Sequence, residues 1–268
     1  MVERERRPMA STTKGKTMIQ SMNETATKTG LNLIQKTGSA AKARRYIVYG
    51  LPGVGKSSLA AQFPAPVFIP LEDGLTGLEV DAFPVCNSYR VFCEYLQTLI
   101  NEEHGYKTVV LDSLDWLEPI IYRQVCKDNS WQNIEQPGYG KGYVVAVAEA
   151  KRVINALQML IDKGINVVLL CHAQTAIITP PDSTEFMRYD LKLNKKLSAV
   201  FCEWADVIGY LHVAIATKDK RAIEKQRELV LDSSPAYIAK NRFCKPQKID
   251  VSNHNFDGLA AIFPQQKT

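Results

Sequence analysis

Residues 50–57 of this 268-residue chain carry the pattern G-x-x-x-x-G-K-S, directly after a β-branched and aromatic run over 46–49. Glycines in such a loop allow the backbone to turn its N–H groups towards a polyphosphate. The helix predicted from Lys56 adds its positive N-terminal end, Lys56 suits the β- and γ-phosphates, and the Ser57 hydroxyl suits Mg²⁺. The pattern therefore predicts a bound nucleoside triphosphate with Mg²⁺. The expected nucleotide contacts are Gly50, Pro52, Gly53, Val54, Gly55, Lys56, Ser57 and Ser58.

The composition narrows the class of protein. With 46% apolar and 23% charged residues, the chain is typical of globular proteins. No apolar run approaches the ~18–20 residues that a membrane span needs, so we expect no membrane partner and a cytoplasmic location. The six cysteines are scattered without a C-x-x-C pair, which favours reduced thiols over disulfides or a metal site.

Positive charge is concentrated at the N-terminus. Residues 1–45 hold ten Lys or Arg and three Glu, an excess of seven, so the rest of the chain carries −2 of the total of +5. This segment is poor in aromatic residues, which predicts a basic and flexible arm over 1–45. The arm either grips nucleic acid non-specifically or is a solvated tail, and composition leaves both open.

Predicted strands alternate with predicted helices over the core, 46–250, and a tail follows over 251–268. This order predicts an α/β fold: a mostly parallel central sheet flanked by helices, with a β-hairpin extension at its C-terminal side. Strands are expected over 46–50, 66–72, 108–112, 165–171 and 206–211, with β-rich stretches at 228–232 and 236–240. Helices are expected from Ser57 to Pro64 and over 88–103, 114–127 and 144–162. Ligands of such sheets bind at the carboxyl ends of the strands, where Gly50, Glu72, Asp112 and His172 fall.

Two carboxylates at strand ends suit nucleotide chemistry. Asp112 follows three aliphatic residues about 55 positions after the loop, the expected place for a carboxylate that holds Mg²⁺ together with Ser57. Hydrolysis also needs a carboxylate to polarise the attacking water, and the residue after Asp112 is Ser113. Glu72, at the end of the preceding strand, is the substitute that we predict. The alternative for Glu72 is an exposed turn residue.

Residues 50–57, 68–72 and 109–113 together resemble the RecA-type ATPase core. The resemblance implies a RecA-like P-loop NTPase fold, catalytic roles for Lys56 and Glu72, and ATP as the nucleotide. It also implies a polar sensor of the γ-phosphate after the next central strand, a role that His172 or Gln174 fits. Pro70 departs from the family's usual Asp at a position without a catalytic role.

A second resemblance concerns Lys240-Asn-Arg-Phe243, which is similar to the Lys-Asn-Arg-Phe-Gly motif of the RadA branch, with Cys244 in place of the glycine. It implies that Lys240 and Arg242 reach the nucleotide of a neighbouring subunit in a ring or filament. An inserted cation stabilises charge that develops on the transferred phosphoryl group. The alternative is a surface pair of cations.

The span 46–250 as a whole resembles phage RecA-like ATP-binding proteins that anneal single-stranded DNA. This implies a homo-oligomeric, DNA-stimulated ATPase of recombination, a possible single-strand-binding protein partner, and the host cytoplasm if a phage encodes the chain. Two other functions stay open: an ATP-switched loader or scaffold with little turnover, and a small-molecule phosphotransferase.

DNA would lie on two segments, 129–143 and 173–197. Aromatic residues interleaved with cations suit single strands, because bases stack on the rings while the cations bind phosphates. The alternative is that the rings pack on the core and the lysines are solvated. The candidates are Trp131, Tyr139, Lys141, Tyr143, Arg188, Lys192, Lys195 and Lys196.

Overall fold

The structure, a computed structural model, describes residues 42–182, 184–218, 221–243, 248–252 and 256–263; over 215–218 and 221–225 it describes backbone only. The predicted arm therefore lies outside the described residues up to residue 41. Everything that is described belongs to one compact unit, Ala41–Thr268. Within the described ranges, no helix combines the length and apolarity that crossing a membrane requires.

Ten strands and five α-helices make up the described chain. The strands are β1 (Arg45–Gly50), β2 (Pro66–Pro70), β3 (Asp81–Ala82), β4 (Thr108–Asp112), β5 (Asn166–Ile178), β6 (Phe186–Leu191), β7 (Val207–Lys218), β8 (Arg221–Val230), β9 (Lys240–Asn241) and β10 (Lys248–Asp250). The helices are α1 (Lys56–Ala60), α2 (Tyr89–Asn101), α3 (Leu114–Asn129), α4 (Lys141–Asp162) and α5 (Lys195–Trp204), followed by a 3₁₀ helix over Asp257–Ile262.

One sheet organises these elements, in the strand order β10-β8-β7-β1-β5-β4-β2-β3. From β7 to β3 all pairings are parallel, whereas β8 and β10 add antiparallel strands at one edge. The predicted fold class is thus confirmed, including a C-terminal hairpin, which is formed by β7 and β8. The strand β5 separates β1, which leads into the phosphate loop, from β4, which ends at Asp112.

The central strands are buried on both faces, as their continuous apolar sequences predict. In β1, Ile47 and Tyr49 pack into the apolar cluster on one side of the sheet, and Tyr46 and Val48 into the cluster on the other. Because both faces of these strands are buried, each strand is fixed in its position along the sheet, and so is the point at which it ends. The polar residues that follow the strands are thereby held at one edge of the sheet.

The structure differs from the predicted elements mainly after His172. The strand β5 runs on to Ile178 and pairs antiparallel with β6, so the segment 173–197 is a hairpin and the start of α5 rather than a loop. The predicted strand over 236–240 is also wrong, because only Lys240 of that stretch lies in a strand. Whether these two stretches form strands depends on pairing with distant segments, and a local sequence pattern does not predict that pairing.

The C-terminal segment differs from the polar tail that was expected over 251–268. Val251, Leu259 and Ile262 are buried. The carbonyl of Ile262 accepts hydrogen bonds from Tyr46 Oη at 2.6 Å and from Arg44 Nη1 at 2.7 Å. The described part of this segment therefore belongs to the packed core.

Candidate nucleotide site

The phosphate loop connects β1 to α1 and lies against β7. Gly50 has no room for a side chain, since a Cβ atom there would lie 2.3 Å from the carbonyl oxygen of Leu211. Gly53 and Gly55 have φ angles of +73° and +97°, which disfavour other residues. Val54 packs into the core, so only its backbone faces a ligand. The loop thus has the tight turn that its sequence predicts.

Lys56, the first residue of α1, is buried, and its Nζ donates to the carbonyls of Gly50 at 3.3 Å and Leu51 at 3.2 Å. Burial lowers the pKa of Lys56, and the charge of Asp112 partly opposes that effect. A buried ammonium that donates to neutral carbonyls gains a stronger hydrogen-bond partner when a phosphate enters the loop. The surroundings of Lys56 therefore fit a polyphosphate.

Asp112, at the end of β4, accepts a hydrogen bond from Ser57 Oγ at 2.6 Å. Burial raises the pKa of Asp112, and the Ser57 hydrogen bond and the charge of Lys56 oppose that rise. A hydroxyl and a carboxylate, both hard oxygen donors, are what Mg²⁺ prefers, and it is usually held by one or two protein groups together with phosphate oxygens. The pair Ser57 and Asp112 fits such a cation.

Glu72 follows β2 and faces the same cavity as the phosphate loop. Its Oε1 accepts a hydrogen bond at 2.9 Å from Oγ of Ser113, the residue after Asp112. The cavity measures about 360 Å³, within the size range of small-molecule sites. Its lining includes Gly53, Gly55, Lys56, Ser57, Ser58, Glu72, Asp112 and His172. Residues predicted to bind phosphate, to hold the cation and to polarise water therefore line the same cavity.

Asp115 is a site residue that the sequence analysis missed. Its carboxylate lies 3.0 Å from His172 Nδ1 and also accepts from the backbone N–H of His172. Ser113 Oγ lies 2.9 Å from Asp115 Oδ1, and Lys192 Nζ lies 3.9 Å from Oδ2. Burial alone raises the pKa of Asp115, but the hydrogen bonds and charge of His172 and the Ser113 hydroxyl outweigh it and lower that pKa to about 2.

These contacts form a chain of polar groups from Glu72 through Ser113 and Asp115 to His172. His172 is thereby held at the edge of the cavity by a carboxylate that is ionised at neutral pH. An acidic residue in the first turn of a helix is common, and its sequence position alone indicates only a helix start. The one available signal was its distance of three residues from Asp112.

Lys240 and Arg242 both contact groups of their own chain. Lys240 Nζ contacts the carbonyls of Cys202, Glu203 and Ala205, which close the C-terminus of α5. Arg242 Nη1 lies 3.2 Å from Oδ1 of Asp206, and its side chain is 50% exposed. Asp206 also pairs with Arg45 through two hydrogen bonds, so it keeps a partner if Arg242 swings away. Neither residue lines the cavity around the phosphate loop.

Five of the eight DNA candidates are exposed: Tyr139, Lys141, Lys192, Lys195 and Lys196. The two predicted segments adjoin, because a Cβ atom on Gly140 would lie 3.6 Å from Lys196 Nζ. Tyr139 is fully exposed and has a φ of +49°, which a tyrosine rarely adopts. Cations and an exposed ring therefore share one region of the surface.

The other three DNA candidates are half-buried and contact other groups of the protein. Trp131 packs against the main apolar cluster, and Tyr143 donates to Glu135 at 2.9 Å while contacting the ring of Tyr122 edge-on. Arg188 pairs with Asp190 at 3.0 Å. These contacts favour structural roles for the three side chains.

Comparison with known proteins assigns the chain to a family. A family model described as "AAA domain" matches residues 42–243. No curated protein sequence matches the chain. Among solved structures, a RadB recombinase matches with a TM-score of 0.47 and 15% sequence identity, over 81% of this chain and 91% of that one.

Proposed function

This chain belongs to the AAA domain family, and from that premise we propose that it is a Mg²⁺-dependent ATPase that acts on single-stranded DNA in annealing or recombination. The observation that carries the nucleotide part is the convergence of Lys56, Ser57, Asp112 and Glu72 on one cavity. The DNA part and the completion of the site by a neighbouring subunit rest on the surface features described above.

In this proposal the loop amides and Lys56 bind the phosphates, and Ser57 and Asp112 hold Mg²⁺. The cation, when bound, neutralises charge on the phosphates. Glu72 orients the attacking water and accepts its proton. The Ser113 hydroxyl shares its one proton between Oε1 of Glu72 and Oδ1 of Asp115, each at 2.9 Å, and the second oxygen of Glu72 is the one that we assign to the water.

The DNA interface is the surface formed by Tyr139, Lys141, Lys192, Lys195 and Lys196. Lys195 and Lys196 are the first two residues of α5, where cations oppose the helix dipole and cost about 0.3–1 kcal/mol each. A cost of this kind favours a binding role over a structural one. Tyr139 offers a ring on which a base stacks, worth ~1–3 kcal/mol.

The neighbouring subunit contributes Arg242, which is half exposed and whose partner Asp206 has a second arginine. Lys240 is bound to three carbonyls and in this proposal positions the segment that carries Arg242. The protein then works as a homo-oligomer, either a ring or a filament.

The experiment is ATP hydrolysis measured on the full chain with and without single-stranded DNA, beside Lys56→Ala. We expect Mg²⁺-dependent turnover that single-stranded DNA stimulates and that Lys56→Ala abolishes. Nucleotide binding without turnover, with or without DNA, would favour the ATP-switched loader or scaffold. Phosphate transfer to a small molecule would favour the phosphotransferase.

A further inference from the structure

A second arginine, Arg227, lies beside the phosphate loop of its own subunit. A Cβ atom on Gly55 would lie 3.4 Å from Arg227 Nη1 and 3.7 Å from its Cζ. Gly55 is the residue before Lys56, so the guanidinium reaches the loop next to the backbone that receives phosphate. Arg227 belongs to none of the sequence motifs, and it has no role in the candidate nucleotide site.

The backbone of Arg227 is held on three sides. It pairs with Val213 of β7, its N–H donates to Ser252 Oγ at 2.8 Å, and its carbonyl accepts from Val251 N at 2.8 Å. The register of β7 and β8 shifts directly after this pair, between Val213 and Ile215. Such a bulge re-aims side chains and is frequent beside functional sites.

The head group of Arg227 lacks a protein partner within the described ranges. Its Nε is buried without a hydrogen-bond acceptor, and none of the described carboxylates forms an ion pair with it. Arg45 shows the contrast, because its guanidinium is satisfied by both oxygens of Asp206. A buried N–H left without an acceptor destabilises the free protein, and an anionic ligand supplies the missing acceptor.

The position of Arg227 indicates which part of the nucleotide it would contact. Arg227 does not line the cavity that Glu72, Asp112 and His172 share. It therefore approaches Gly55 from outside the space where the γ-phosphate and its attacking water would sit. The end of the nucleotide that extends beyond the loop is the α-phosphate with its ribose, and a guanidinium binds phosphate oxygens strongly.

We propose that Arg227 is a nucleotide-binding residue that acts within its own subunit, with its guanidinium donating to the α-phosphate end of the nucleotide. This inference rests on the proposed nucleotide site. It gives the two arginines separate tasks: Arg227 retains both ATP and ADP, whereas Arg242 of a neighbour acts only on the γ-phosphate.

The test measures the Kd of ATP and of ADP, by titration with a fluorescent nucleotide, for the wild type, Arg227→Ala and Arg227→Met. Methionine keeps most of the length of the stem without the charge. Lys248→Ala is the control, since Lys248 is exposed on the adjacent strand β10 and pairs only with Glu228 among described groups. We expect both Arg227 variants to weaken ATP and ADP by a similar factor of about 10 to 100, with the control unchanged.

Thermal unfolding without nucleotide separates binding from a structural role. Because Arg227 Nε has no described partner, we expect the free Arg227 variants to melt at or above the wild-type temperature, while the rise in melting temperature caused by ADP shrinks. Wild-type affinities in either variant would overturn the inference, as would loss of ATP affinity with ADP affinity intact. Failure of the wild type to bind either nucleotide would instead overturn the proposed function.

Discussion

Asp115 and His172 are joined through both the backbone and the ring of the histidine. The Asp115 carboxylate accepts from His172 N at 3.0 Å and lies 3.0 Å from Nδ1, and its side chain is only 4% exposed. This pair ties the start of α3 to β5 at the point where the strand passes the nucleotide cavity. The orientation of the predicted γ-phosphate sensor therefore depends on a residue outside the familiar motifs.

Asp115→Asn should destabilise the protein in a pH-dependent way. The folded-state pKa of Asp115 is about 2 against an ordinary 3.8, so its contribution is present above about pH 4 and is lost as the pH falls towards 2. A shift of this size corresponds to about 2 kcal/mol. Urea unfolding at pH 7 should show that difference, and it should shrink between pH 4 and 2. The control is Asp162→Asn, an exposed residue; a constant difference at all pH values would contradict the assignment.

Glu72→Gln should leave ATP binding unchanged and lower kcat by a factor of about 10²–10⁴, because the amide does not accept the proton of the attacking water. The measurements are ATP hydrolysis and the Kd of ATP. The matched control is Asp73→Asn, the exposed neighbour of Glu72. Turnover equal to the wild type in Glu72→Gln would remove Glu72 from the mechanism.

Reversing the charges at the start of α5 should weaken binding of single-stranded DNA. Lys195→Glu with Lys196→Glu removes two cations from the proposed interface, and we expect the slope of log K against log salt to flatten by about 1–2. ATP hydrolysis without DNA should persist. Lys107→Glu with Lys151→Glu changes the net charge equally at other exposed positions; an equal loss of DNA binding there would mean that net charge alone is responsible.

Arg242→Ala and Lys56→Ala should each be inactive alone and recover part of the activity when mixed, because one mixed interface joins an intact loop to an intact arginine. An arginine supplied in this way is worth ~10³–10⁵ in rate in GTPases. Size-exclusion chromatography must show intact assembly in the mixture. Under that condition, absence of recovery would exclude a site shared between subunits.

Lys240→Ala separates the two cations of the Lys-Asn-Arg-Phe motif. Loss of its hydrogen bonds to Cys202, Glu203 and Ala205 should lower the free energy of unfolding by about 1–3 kcal/mol, since charged donors make strong hydrogen bonds. Urea unfolding is the measurement. Unchanged stability together with lost turnover would show that Lys240 acts on the nucleotide directly.

Much of the nucleotide site was readable from consecutive residues. The loop over 50–57 encodes its own turn through glycine, and it contains Lys56 and Ser57, the side chains to which we assign the phosphates and Mg²⁺. Asp112 and Glu72 follow apolar runs, and the carboxyl ends of parallel strands meet at one edge of the sheet. Local chemistry and one topological rule were therefore enough to bring these groups to one cavity.

The remaining features arise from contacts between distant parts of the chain. Asp115 meets His172 across 57 residues, and Lys240 meets Ala205 across 35. The hairpin of β5 and β6, and the approach of Arg227 to Gly55, likewise depend on strand pairing. Short-range patterns specify which residues are buried or turned, but a partner in space is chosen only when the whole core packs. Sequence thus determined the glycine-rich loop and the polar strand ends to which we assign the nucleotide, and tertiary packing decided which side chains surround them.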